Sequence, residues 1–289
     1  MIERKSFFRL IWEYIKSELK SFTKEQKLKE IRAEFNAFLD KSQSNFNQYK
    51  EKHESCLDNM KSDISIINRQ KALMKNYLLK KLFVKLQEMG LECTFSDYLV
   101  EHIDLYAFPI NDNYNLVAKE NCTSIQSAIL TFNEIIEKIN VINPFFYIFS
   151  RYKNNKKINK IRDRLKELEK KEKFNTEQMN ADLSLMEKLE CALKNIACIY
   201  KDIMQILRPI MEKLLAELSG KYYNDFSQMP QQKVEAIRNV KDLLKDFSEV
   251  HIVPTSDSID KMKDDVVKYS NNLSKKHYLL KAEILKVTS

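Results

Sequence analysis

Apolar residues in the first third of the chain recur at intervals of three and four: Leu28, Ile31, Phe35, Phe38, Tyr49, His53, Cys56, Met60, Ile64, Ile67, Met74, Leu78 and Leu82. The spacing predicts a long helix over about 24–88, with a polar step at Ser42 and Asn45 and a stop at Gly90. A second seam runs from Ile158, Ile161, Leu165 and Leu168 through Met179, Leu183, Met186, Leu193, Ile196, Tyr200, Ile203, Leu207, Ile210 and Leu214 to Leu218. It predicts a helix over about 153–219 that ends at Ser219 and Gly220 and is kinked at Pro209. Its seam turns polar at Glu172 and Asn175, where the spacing repeats a four as in a stutter. Helices of this length are rarely stable alone, so the economical arrangement pairs the two antiparallel as coiled-coil-like rods.

Shorter amphipathic stretches predict flanking helices over about 6–22, 123–143, 230–248 and 258–287. Residues 89–122 hold Gly90, Pro109 and a polar run from Asn111 to Asn115, and read as an irregular excursion at one end of the rods with one short helix at 96–105. Residues 143–152 form an aromatic and basic corner, and 250–254 a short extended link. The fold class expected is all-α, an elongated helical bundle forming one domain over 1–289.

Composition narrows the alternatives. Two glycines and five prolines in 289 residues compare with roughly 20 and 14 at average usage. Tight hairpins and phosphate-binding turns need glycine where φ is positive or where backbone meets a ligand. The chain therefore favours helix over strand and disfavours nucleotide-binding loops.

The net charge of +8 is concentrated, since residues 151–173 alone carry +7. The first half of that stretch, with Arg151, Lys153, Lys156, Lys157, Lys160 and Arg162, contains no acid. A second basic run, Arg69, Lys71, Lys75, Lys80, Lys81 and Lys85, likewise meets no acidic residue between Ile64 and Gln87. Antiparallel rods would bring the two runs together beside the aromatic corner. Either the acidic excursion, with Glu92, Asp97, Glu101, Asp104, Asp112 and Glu120, neutralises them internally, or an anionic partner does.

Chemistry for catalysis is sparse. Four dispersed histidines (His53, His102, His251, His277) match no metal-ligand spacing, and the acidic group Asp97, Glu101, His102 and Asp104 reads as a solvated face. Five cysteines, Cys56, Cys93, Cys122, Cys191 and Cys198, include no C-x-x-C pair, and Cys191 and Cys198 are expected to pack on one apolar helix face. No Walker loop, G-x-S-x-G or H-E-x-x-H occurs. No catalytic residue, cofactor or metal site is expected.

The function expected is that of a non-enzymatic helical interaction or scaffold protein in a larger assembly, engaging protein partners or a second copy. Phe7, Phe8, Ile11, Trp12 and Ile15 form a candidate docking stripe. The polar seam positions are expected to set register and partner choice, or to mark a wet gap. An alternative uses Phe145, Phe146, Tyr147, Ile148 and Phe149 as a membrane or partner contact. Lys80, Lys81, Lys85, Arg151, Lys153, Lys156, Lys157, Lys160 and Arg162 would then be the anion or lipid contacts. Helical rods with an apolar head resemble, in general plan, the α-helical pore-forming toxins, and that resemblance implies a membrane-acting protein. Nucleic-acid binding through the basic tip is a third reading. With no signal peptide evident and no apolar run of spanning length, the expected location is cytoplasmic, extending to the membrane surface.

Overall fold

A computed structural model describes the backbone of residues 2–88, 103–105, 108, 110–140, 147–220, 229–249 and 259–288. Side chains are described within these ranges except at 2–25, 27–28, 111–113, 131, 135–140, 147–157, 249, 259–263 and 287–288. The described chain is all-α. Helix α1 spans Ile2–Leu73 and passes through a π-helical turn, Met74–Leu79, into α2, Lys80–Glu88. Then come α3 (Ile110–Asn140), α4 (Tyr147–Gly220), α5 (Gln231–Glu249) and α6 (Ile259–Thr288).

Several expected boundaries move. The segments 6–22 and 24–88 are not separate, because α1 runs through 23 without a break. Residues 110–122, expected to be irregular, form the first turns of α3, and Asn111 to Asn115 are helical. Helix α4 continues through Pro209, at a place where Pro209 and Gln205 are both exposed. Pro209 leaves the Gln205 carbonyl without its i+4 donor. Gly220 is the last residue of α4 and has no left-handed φ. Gly90, the expected stop of the first helix, and the links at 89–102 and 250–254 lie outside the described residues.

The chain divides into two compact units: unit 1 takes residues 1–51 and 114–181, and unit 2 takes 52–113 and 182–289. In unit 2 the two long helices pack against each other, and matched pairs show their direction. His53 Nε2 lies 3.8 Å from Asp182 Oδ2, Asn59 Nδ2 donates to Glu190 Oε1 at 2.8 Å, and Tyr77 donates its hydroxyl to Glu212 at 3.2 Å. Both numbers rise together, so the long helices run parallel and not antiparallel. A seam specifies which face of a helix is apolar but carries no direction.

Helix α5 returns antiparallel to α4, with Tyr200 bonded to Phe247 and Lys233 to Glu217, and α6 runs alongside α4 with Asn195 bonded to Ser270. The core of this four-helix unit joins the expected seam residues, among them Met60, Ile67, Met74, Leu78, Met186, Leu193, Ile196, Tyr200 and Leu207, to Ile237, Leu244 and Phe247 of α5 and Leu273 and Leu280 of α6. Burying each such side chain contributes about 1.5–3 kcal/mol relative to exposure. The described part of the former excursion folds back along α1. Asn68 brackets Ile103, its amide donating to the Ile103 carbonyl and its Oδ1 accepting the Ile103 N–H, both at 2.9 Å. Ile103, Leu105, Phe108 and Ile110 thereby enter the core.

Unit 1 is a three-helix arrangement of α1, α3 and α4. Phe35 packs with Ala128 and Leu165, and Ile31 packs with Ile158 and Ile161. Phe35 stacks on Phe132 with centroids 4.1 Å apart and planes at 7°, and Tyr49 stacks on Tyr114 at 6.0 Å. Along α3 the partners on α1 descend, so α3 is antiparallel to α1. It supplies the return path that allows α1 and α4 to run the same way.

Candidate functional site

The site residues expected from sequence fall into three groups. Phe145 and Phe146 lie outside the described residues. Tyr147, Ile148 and Phe149 begin α4, and Phe7, Phe8, Ile11, Trp12 and Ile15 lie within α1, but all these side chains are outside the described set. The same holds for Arg151, Lys153, Lys156 and Lys157, while Lys160 and Arg162 are exposed on α4. Asp97, Glu101 and His102 are outside the described residues, and Asp104 is exposed.

The two basic runs are not brought together within one unit. Residues 69–85 belong to unit 2 and 151–173 to unit 1, which is what parallel helices require. The lysines of the first run are largely engaged inside unit 2. Lys81 Nζ sits 3.9 Å from the Tyr77 ring centroid, and Lys85 pairs with Glu88 at 2.8 Å. Lys71 and Lys75 are buried, at 1% and 5% exposure, and both have interaction partners. Lys71 occupies the seam position between Ile67 and Met74, which a search for apolar residues passes over. The π turn holds a further polar group that spacing gave no sign of. Glu212 accepts from Tyr77 and from Arg208 Nε, both at 3.2 Å, and the Arg208 guanidinium lies 5.5 Å from the Tyr77 ring.

Among the described residues no group of three His, Cys, Asp or Glu side chains is placed to hold a metal ion, and no helix is long and apolar enough to cross a membrane. His53 lies 3.8 Å from Asp182 and His277 2.9 Å from Asp202, and burial lowers the pKa of both imidazoles against the raising influence of those carboxylates. Cys191 and Cys198 share a helix face, but it is the exposed one, whereas Cys56 is buried and its thiol is pushed up to about 12 by burial.

The surface with most chemistry is a groove of about 610 Å³ between α3 and α4 in unit 1. Helix α3 contributes Leu116, Lys119, Glu120, Thr123 and Ser124, and α4 contributes Lys170, Lys171, Phe174 and Asn175. Leu116 and Phe174 are 57% and 58% exposed. Lys119, Lys170 and Lys171 form no ion pair with any described carboxylate. On the same helix, by contrast, Arg164 pairs with Glu167 at 2.9 Å and Lys173 with Glu177 at 4.0 Å. The groove floor is polar, where Asn175 donates to Ser124 at 3.4 Å. Sequence reading found the charge of 151–173 but not this concave side of it, because Leu116 and Lys119 come from a segment expected to be irregular. Comparison of the chain with protein-family models, curated proteins and solved structures gave no match.

Proposed function

We propose that the protein is a non-enzymatic helical interaction protein, and that unit 1 seats an acidic amphipathic helix of a partner in the α3–α4 groove. The observation that carries this reading is the combination in one concavity of two half-exposed apolar side chains, Leu116 and Phe174, with three lysines lacking carboxylate partners. A trough between two helices is the shape a third helix fills, by ridges into grooves.

Magnitudes assign the roles. Covering the exposed parts of Leu116 and Phe174 is worth about 1–1.5 kcal/mol each. Each lysine–carboxylate pair at the rim adds about 0.2–1 kcal/mol and weakens with salt. The apolar pair therefore supplies most of the affinity, while the lysines select an acidic partner and orient it.

The test is fluorescence anisotropy of the full chain with a designed amphipathic helix bearing a leucine stripe flanked by glutamates. The wild type is expected to bind, and Phe174→Ser/Lys170→Glu/Lys171→Glu to bind at least about tenfold more weakly, a loss of about 1.4 kcal/mol. Equal binding by both proteins, or by neither, would refute the reading. Flotation with phosphatidylserine vesicles that depends on the same residues, without peptide binding, would assign the groove to a membrane surface instead.

A further inference from the structure

Among the described residues of unit 1, three buried polar side chains, one from each helix, have atoms with no hydrogen-bond partner in the protein. They are Ser42 Oγ on α1, Oδ1 and Nδ2 of Asn121 on α3, and Glu172 Oε1 on α4. Ser42 and Asn121 are fully buried and Glu172 is 8% exposed. The packing on either side fixes their level. Phe35, seven residues before Ser42, shares a cluster with Ala128, seven after Asn121 on antiparallel α3, and with Leu165, seven before Glu172. Tyr49, seven after Ser42, stacks on Tyr114, seven before Asn121. Seven residues make two helical turns, about 10.5 Å of rise. The layer below and the layer above are thus each in register, and Ser42, Asn121 and Glu172 occupy the single layer between them. One turn further along their helices, Ser124 and Asn175 form the floor of the α3–α4 groove.

We infer that this layer is an internal water-binding site that sets the register of α3 against α1 and α4, whose own offset is already fixed in unit 2 by the Asn59–Glu190 and Tyr77–Glu212 pairs. Buried polar atoms in folded proteins are almost always satisfied by protein or by ordered water, and a buried water needs two to four polar partners. The layer offers that set: an amide with donors and an acceptor, a hydroxyl with both, and a carboxyl oxygen.

Register follows from the flanking residues. Sliding α3 by a heptad would move Asn121 opposite Phe35 and Leu165 in one direction, or opposite Tyr49 in the other. The moved group would lose its water, and an apolar side chain would enter the polar layer in its place. A polar layer within a largely apolar seam is a known means of specifying alignment at some cost in stability.

Three measurements on the full chain test this. A crystal structure is expected to show ordered water bridging at least two of Ser42, Asn121 and Glu172; a dry layer in which these side chains bond directly to one another would overturn the hydration. Thermal melts read the energetics through a change of sign. Asn121→Leu alone removes the amide that holds the water while Ser42 and Glu172 remain buried, and is expected to lower the midpoint by about 3 °C or more. Ser42→Leu/Asn121→Leu/Glu172→Leu, which removes every orphan, is expected to melt above the single variant and at or above wild type. A single variant that melts at or above wild type, or a triple variant that melts at or below the single one, would contradict the inference.

Register is read from nitroxides at Gln48→Cys and Asn133→Cys, exposed on α1 and α3, with Cys93→Ser, Cys122→Ser, Cys191→Ser and Cys198→Ser, leaving buried Cys56. Wild-type layers should give one distance population, and the triple-leucine layer a second displaced by about 10 Å. A single unchanged population in the triple variant would show that something other than this layer sets the register.

Discussion

Removing one hydroxyl group, in Tyr200→Phe, tests how unit 2 closes the end of α5. The last four carbonyls of a helix have no partner within it, and when buried they need one from elsewhere. The Phe247 carbonyl, in the final turn of α5, accepts the Tyr200 hydroxyl from α4 at 2.7 Å. Tyr200 and Phe247 are both fully buried, so water does not replace the bond. Burial pushes the Tyr200 hydroxyl up to about 12, which keeps it a neutral donor at any ordinary pH. The substitution leaves the ring and its edge-on contact with Phe247, centroids 6.2 Å apart at 78°, in place.

What is lost is the bond to the Phe247 carbonyl and the contact with the buried Tyr269 hydroxyl beside it, and leaving the buried carbonyl unsatisfied costs about 1–3 kcal/mol. At about 2–4 °C per kcal/mol for a chain of this size class, a central loss of about 1.5 kcal/mol lowers the melting midpoint by about 3–6 °C. Urea unfolding should show a lower midpoint with an unchanged slope, because the surface exposed on unfolding is the same. A destabilisation below about 0.5 kcal/mol would mean that the carbonyl finds another donor, and the trans-cap account of α5 would be wrong.

Stability should also depend on pH through His53 and His277. Their folded pKa values are lowered by burial, so below the ordinary value of about 6.5 the unfolded chain binds protons that the folded chain does not. Stability is then fully present above about 6.5 and falls as pH drops through it towards the folded values. Melts at pH 7.5 and 5.5 should show the decline, and His53→Gln/His277→Gln should flatten it; a rise in midpoint on acidification would reverse the assignment. Maleimide should modify Cys122, Cys191 and Cys198, which are exposed, in the native protein, while Cys56, buried with its thiol at about 12, reacts only on unfolding. Mass spectrometry of early Cys56 labelling would contradict its burial. Phe132→Ala removes the stack on Phe35 and should cost unit 1 about 2–3 kcal/mol, less than a fully buried Phe because Phe132 is half-buried. Hydrogen exchange should then quicken along α3 with α5 and α6 unaffected, whereas a uniform change would show that the two units open together.

The faces of the long helices were legible because burial has a period. The positions from Ile31 to Leu82 and from Ile158 to Leu218 that the three-four spacing selects are, with few exceptions, the ones inside the core. Even the polar interruptions at Ser42, Glu172 and Asn175 proved buried. Direction was not legible, since a heptad seam reads the same in a parallel as in an antiparallel pair, and the deciding element, α3, begins within a stretch whose asparagines suggested a loop. Nor was Lys71, because a buried ammonium occupies a seam position only when a partner elsewhere in the chain compensates for its desolvation. Asn121, the third member of the polar layer, carries no local mark either. Its place becomes apparent only once Ala128 and Tyr114 are matched to α1. Similarly Cys191 and Cys198 have the spacing of a shared face, and spacing alone does not say whether that face is inside or out.

The direction of the helices also decides where charge is available. Antiparallel rods would have joined 69–85 to 151–173 in one basic end, and a single large anionic partner would have been the economical answer. Parallel helices assign the two runs to different units, and each then meets a different fate. In unit 2 Lys71, Lys75, Lys81 and Lys85 are engaged by burial partners, the Tyr77 ring or Glu88. In unit 1 Lys119, Lys170 and Lys171 remain around a concavity that also exposes Leu116 and Phe174. Surface lysines are common and mean little singly. Here they coincide with apolar side chains that gain by being covered. A partner helix of the proposed kind, reading charge and apolar surface at once, would need the α3 and α4 edges of the groove in constant alignment. The proposed polar layer would supply that alignment, and the cost in stability of burying Ser42, Asn121 and Glu172 would then have a functional return.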